Sequence, residues 1–190
     1  MIIIHYIRNR GKFIMKILFY RYGNICEPDI MEAMEHLGHD VSSMNLEITN
    51  KNIPVQEVIK HVSEALFGTH FDAIFTINFY PVLSEICNIM KLPYVCWTVD
   101  SPVMELYSDS YGNEWNRIFL FDFMQYQDFV PYNPDHTYYL PLATNVSRWD
   151  SVLSDSRPDS FTRATTRSCC KRIYRLHARL LYPSRESQKE

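Results

Sequence analysis

Apolar residues fall into short runs over the first 140 positions, and each run is followed by a stretch where they recur at helical spacing. Residues 16–20 (KILFY) have the unbroken apolar character of a strand buried on both faces. Residues 28–37 place Ile30, Met31, Ala33, Met34 and Leu37 on one helical face. Pro28 suits the first helical position, Glu27 and Asp29 suit the positive end, and Gly38 suits the stop. Residues 39–46 then read as a second strand, 47–53 as polar connection, and 54–67 as a helix built on Val55, Val58, Ile59, Val62 and Leu66. The same pattern predicts strands at 72–77, 92–99, 117–121 and 137–140, a helix at 82–90, a helix-like segment at 101–110 and a helix at 123–129. Strands alternating with helices at this spacing predict βαβ units. The expected fold is a Rossmann-like, doubly wound α/β domain over residues 15–146, with a mostly parallel sheet and helices on both faces.

The ends differ from this body. Residues 1–14 hold two short apolar runs split by Arg8, Arg10 and Lys12, unlike a signal peptide with its charges ahead of one apolar run. They read as an N-terminal extension, with Met15 the natural start. The net charge of -3 hides a change of sign: residues 1–147 carry 9 Lys and Arg against 17 Asp and Glu, and residues 148–190 carry 10 against 5. Residues 147–190 are rich in Arg and Ser and read as a disordered or out-of-frame basic tail. Ile173, Leu176, Leu180 and Leu181 among Arg172, Arg175 and Arg179 leave open a basic amphipathic helix for a membrane surface or RNA. The body itself gives no charge argument for nucleic acid. Five scattered cysteines without C-x-x-C spacing fit reduced thiols and a cytoplasmic location, with Cys87 and Cys96 as core residues. No run approaches the length of a membrane-spanning helix.

Several chemistries lack their motifs. Tyr22-Gly23-Asn24 is not G-x-G-x-x-G, and there is no phosphate loop, no G-x-S-x-G and no H-E-x-x-H spacing. The paired acids and lysine of a receiver domain are missing as well. No metal site and no cofactor is expected. What remains is polar chemistry at the inferred carboxyl ends of strands: Gly23 and Asn24 after the first, Asn78 and Phe79 after the third, Asp100 and Ser101 after the fourth, Asp122 after the fifth. Tyr22, Tyr80, Trp97 and Tyr107 lie close to these positions, Trp97 reading as core because it is mid-strand. Ligands of open α/β sheets bind beyond those strand ends. Acids, amides and aromatic rings together suit a sugar or another polyol, and Asp100 is a candidate general base toward an acceptor hydroxyl. Asp100-Ser101-Pro102 also reads as a plain helix start, with Asp100 or Ser101 as N-cap and Pro102 at the first helical position.

Residues 15–41 resemble the opening of GT-B glycosyltransferases, and the run INFYPVLSEICNIMKLPYVCWTVDSPVMELY, then NRIFLFD and YYLPLATNV, resemble the N-terminal domain of CgeB-type, spore-maturation-like bacterial glycosyltransferases of that class. W-x-x-D-x-P and L-P-L-A-x-N are the most specific pieces. The resemblance implies the acceptor-side half of an enzyme that moves a sugar from a nucleotide-sugar donor to an acceptor hydroxyl. It also implies a second Rossmann-like domain holding most of the donor, and the sequence after Asn145 is too short and too polar to be one. The expectation is therefore a half-enzyme, inactive alone, with a weak polyol site and an exposed interdomain face inviting self-association. The competing expectation is a stand-alone Rossmann-like module that binds a small ligand or regulates without catalysis.

Overall fold

The first strand, β1 (Lys16–Tyr20), lies second in a sheet of six, all parallel, in the order β2-β1-β3-β4-β5-β6. The computed structural model describes residues 14–145 and residue 148, and the readings made for the N-terminal extension up to residue 13 and for the basic tail lie outside them, Arg148 excepted. Residues Ile14–Leu142 form one compact unit. The other strands are β2 (Asp40–Met44), β3 (Ala73–Ile77), β4 (Tyr94–Thr98), β5 (Asn116–Leu120) and β6 (Thr137–Tyr139). This is the doubly wound α/β architecture, the common 2-1-3-4-5 order carried one strand further.

Period-two alternation divides the strand residues between two cores. Ile17 and Phe19 of β1 and Phe75 and Ile77 of β3 face α1 (Glu27–His36), whose Ile30, Met31 and Met34 pack on them. Leu18, Tyr20, Ile74, Tyr94, Cys96, Ile118 and Leu120 face the opposite way. There they meet Val58 and Val62 of α3 (Val55–Gly68), Leu83, Ile86 and Cys87 of α4 (Pro81–Met90), and Phe129 of α5 (Phe123–Phe129). Helices thus cover both faces because β1 leads to β2 in one direction and the later strands advance in the other.

Two expected elements differ. Within the segment expected as polar connection, Leu46–Thr49 closes one helical turn, α2, with the Thr49 hydroxyl donating to the Leu46 carbonyl at 2.8 Å. The helix-like 101–110 segment is instead two 3-10 turns, Met104–Tyr107 and Asp109–Gly112, and Pro102 starts no helix. The reason lies in buried amides. Asn116 donates to the carbonyls of Ser110 and Tyr111 at 2.8 and 3.0 Å, and Asn133 donates to Tyr111 O at 2.8 Å. Carbonyls taken by side chains are lost to a helical ladder, and Ser108, Asp109, Ser110 and Asn113 favour such local bonding.

Candidate functional site

Strands β1 and β3 are neighbours, yet the chain leaves β1 for α1 on one face and leaves β3 for α4 on the other. Such a switch point opens a crevice between the two outgoing loops. Here the crevice is a cleft of about 370 Å³ lined by Tyr22, Glu47, Asn78, Phe79, Tyr80 and Glu105.

The loop after β1 is held from below by Glu27, the first residue of α1, which is 0% exposed. One carboxylate oxygen accepts the backbone N–H groups of Tyr22 and Gly23, both at 2.9 Å, and the other accepts Arg21 Nε at 2.9 Å. The turn this imposes gives Gly23 a φ of 93°, a region that strains any residue with a Cβ. Lys51 closes the loop from outside, its ammonium donating to the Tyr22 carbonyl and lying 5.8 Å from the centre of the Tyr22 ring.

Asn78 sits at the end of β3 in the left-handed region, φ 59°, which asparagine tolerates better than most residues. Its backbone N–H donates to Trp97 O at 3.0 Å, and its Oδ1 accepts Val99 N–H at 3.0 Å, so the residue ties β3 to β4. That fixes the orientation of its Nδ2, which donates to Asp100 Oδ2 at 2.6 Å and to the Tyr22 hydroxyl oxygen at 3.1 Å. Asn24 Nδ2 donates to the same oxygen at 2.8 Å. The Tyr22 oxygen is thus a double acceptor, and its own proton has no protein acceptor among the described residues. Burial raises the Tyr22 pKa, the Asn24 bond works against it, and the charges of Asp100 and Glu27 add to it. The phenol therefore stays protonated and can donate to a ligand oxygen.

The back wall is a second tyrosine pair. Glu47 accepts the hydroxyls of Tyr20 at 2.8 Å and Tyr80 at 3.1 Å, one on each oxygen. Burial first, then the Glu47 carboxylate, pushes both phenols well above their ordinary range. The Tyr80 ring lies edge-on to Tyr20 at 5.4 Å and tilted against Tyr22 at 6.1 Å.

The structure thus brings Asn24 and Asn78 together on the Tyr22 hydroxyl and joins Asp100 to the group through Asn78, with Gly23 beside it as the turn that positions the loop. Phe79 borders the cleft, but its ring is 1% exposed and packs on Tyr94 and Tyr111, so it is chiefly core. Ser101 and Asp122 form a separate pair. Asp122 caps α5, accepting Met124 N–H at 2.8 Å and Gln125 N–H at 3.5 Å. Those bonds and the Ser101 hydroxyl hold its carboxyl below the usual range. Trp97 packs beside the α1-side core and donates from its indole to Leu140 O at 3.0 Å. Glu47, Lys51 and Glu105 were not singled out in the sequence. Glu47 and Lys51 sit in a polar connection after the edge strand β2, and no spacing ties them to Tyr22 or Tyr80. Among the described residues no cluster of His, Cys, Asp and Glu is placed to hold a metal ion.

The fold and the cleft define a doubly wound α/β domain with a polar, tyrosine-walled crevice at its switch point. No protein-family model matches the chain, and no curated protein matches it. Among solved structures it resembles the Vibrio cholerae chemotaxis protein CheY4, at 10% identity over 75% of this chain and 98% of that chain, with a TM-score of 0.38. Identity and superposition that low say nothing about activity.

Proposed function

We propose that this domain binds a polyol in the switch-point cleft and serves as the acceptor side of a glycosyltransferase. One observation carries the reading: Asn78 donates to both Tyr22 and Asp100, and Tyr22, Asn78 and Tyr80 line the cleft. A sugar hydroxyl both donates and accepts. Tyr22 offers a proton, and Asp100 Oδ1 offers an acceptor to the same hydroxyl. Aromatic faces pack on the apolar C–H side of a pyranose. With a nucleotide-sugar donor held opposite, Asp100 would take the hydroxyl proton as the oxygen attacks the anomeric carbon and the nucleotide leaves. Transfer therefore requires a donor-binding domain, and the chain alone is expected to bind without turnover.

The test follows backbone amide signals of the intact chain during titration with D-glucose. Shifts should centre on Tyr22, Gly23, Asn78 and Tyr80, and D100A should weaken binding by roughly tenfold, the loss of a charge-assisted hydrogen bond. Absence of saturable shifts at those residues would sink the reading. If the polyol binds, adding a donor domain and replacing Asp100 by Asn separates the two roles. A kcat unchanged by D100N removes the catalytic base and leaves Asp100 at most a binding residue.

A further inference from the structure

Spare hydrogen-bonding capacity in the cleft is unevenly distributed. Glu105 lines it and has no hydrogen-bond or ion-pair partner for its carboxylate among the described residues. Asp100 uses one oxygen on Asn78 and keeps the other. Glu47 adds a carboxylate at the back wall, its two oxygens occupied by phenols and its charge paired with no cation among the described residues. The nearby cations are engaged: Arg21 pairs with Glu27, and Lys51 donates to the Tyr22 carbonyl and lies 5.8 Å from the Tyr22 ring centre. Both Nδ2 hydrogens of Asn78 are also committed. Glu47 and Glu105 thus line the cleft with Tyr22, Tyr80 and the Tyr22 hydroxyl donor, Asp100 stands beside it on Asn78, and among the described residues no Lys or Arg lines it. Carboxylates and aromatic faces are the surroundings that stabilise an ammonium group. An ammonium group would meet these carboxylates with opposite charge, and an anionic ligand would meet them with like charge.

Resting on the polyol reading above, we infer that the ligand of this cleft carries an ammonium group on its polyhydroxyl skeleton. An amino sugar or amino polyol fits, with the hydroxyls toward Tyr22 and Asp100 and the ammonium toward Glu105.

The intact chain is titrated with D-glucose, D-glucosamine and N-acetyl-D-glucosamine near about pH 6, where a primary amine of this kind is charged. The three differ at one ring position, which bears a hydroxyl, an ammonium or a neutral amide. Glucosamine should bind roughly tenfold more tightly than either of the others, an advantage that shrinks with added salt. In E105Q, a change at an exposed side chain, the three Kd values should come within about twofold of one another. Equal affinity for glucose and glucosamine overturns the inference while the polyol reading stands. Binding of none of the three overturns both. A glucosamine preference that survives both E105Q and high salt overturns the assignment of the ammonium to these carboxylates.

Discussion

Glu27 shows how much one residue can hold. A carboxylate with no solvent exposure is costly unless its oxygens are satisfied, and here three donors from residues 21–23 do so. Replacing it by alanine strands the Arg21 guanidinium and two backbone N–H groups in one step. We expect E27A to lose about 3 kcal/mol in urea unfolding, read as a lower midpoint with an unchanged slope. The same variant should abolish the polyol shifts at Tyr22 and Gly23, because the loop loses its anchor. The sequence placed Glu27 correctly at the start of a helix, where an acid suits the dipole. It did not show that the side chain turns back to bind the preceding loop. That depends on β1 delivering the loop next to the helix N-terminus, a contact no periodicity encodes. Asn78 is similar: a polar residue after a strand was legible, but its bridge to Val99 N–H required β3 and β4 to be adjacent.

Helix α5 is the element most dependent on its cap. It spans seven residues, Phe123–Phe129, too short to be stable without tertiary packing and satisfied ends. Asp122 supplies the cap, and its bonds exist with the ionised carboxylate, so its folded pKa lies below the ordinary value of 3.8. A group with a depressed folded pKa stabilises fully above its unfolded value and loses that contribution as pH falls through the folded one. D122A should therefore lower Tm at neutral pH, and the gap from the native chain should narrow between about pH 5 and about pH 2. A gap that stays constant over that range would show that the charge contributes nothing. The hydrophobic pattern located α5 to the residue. It misread residues 101–110 because Val103, Leu106 and Tyr111 are apolar at spacings that suit a helix, whereas the buried amides of Asn116 and Asn133 claim the backbone there. Asn133 reaches back 22 residues from the turn before β6, and Asn116, the first residue of β5, reaches back 5 and 6.

At the scale of the whole domain, Cys87 on α4 and Cys96 on β4 report on one core. Both are fully buried in the same apolar cluster, and burial pushes the Cys87 thiol up to about 12 and the Cys96 thiol higher still. Neither forms appreciable thiolate while folded, so neither should react until the core opens. Labelling with a maleimide across a urea series, with sites identified by mass, should show both becoming reactive together at the unfolding midpoint. Labelling of Cys87 well before Cys96 would mean that α4 detaches from the sheet as a separate unit. Among the described residues no helix is long and apolar enough to cross a membrane.

The alternation of short apolar runs with helical stretches determined the α/β class, the six strands and the helices between them, because burial against a parallel sheet leaves that signature in local sequence. The same reading singled out Asn24, Asn78 and Asp100, because strand ends in such a sheet are where polar groups gather. Tertiary structure decided which of those groups meet. Strand order put β1 beside β3, opened the cleft at their border and let Asn78 join the Tyr22 hydroxyl to Asp100. It also brought in Glu47 from beyond the edge strand. These outcomes follow from contacts between segments tens of residues apart, and only the packed sheet specifies them.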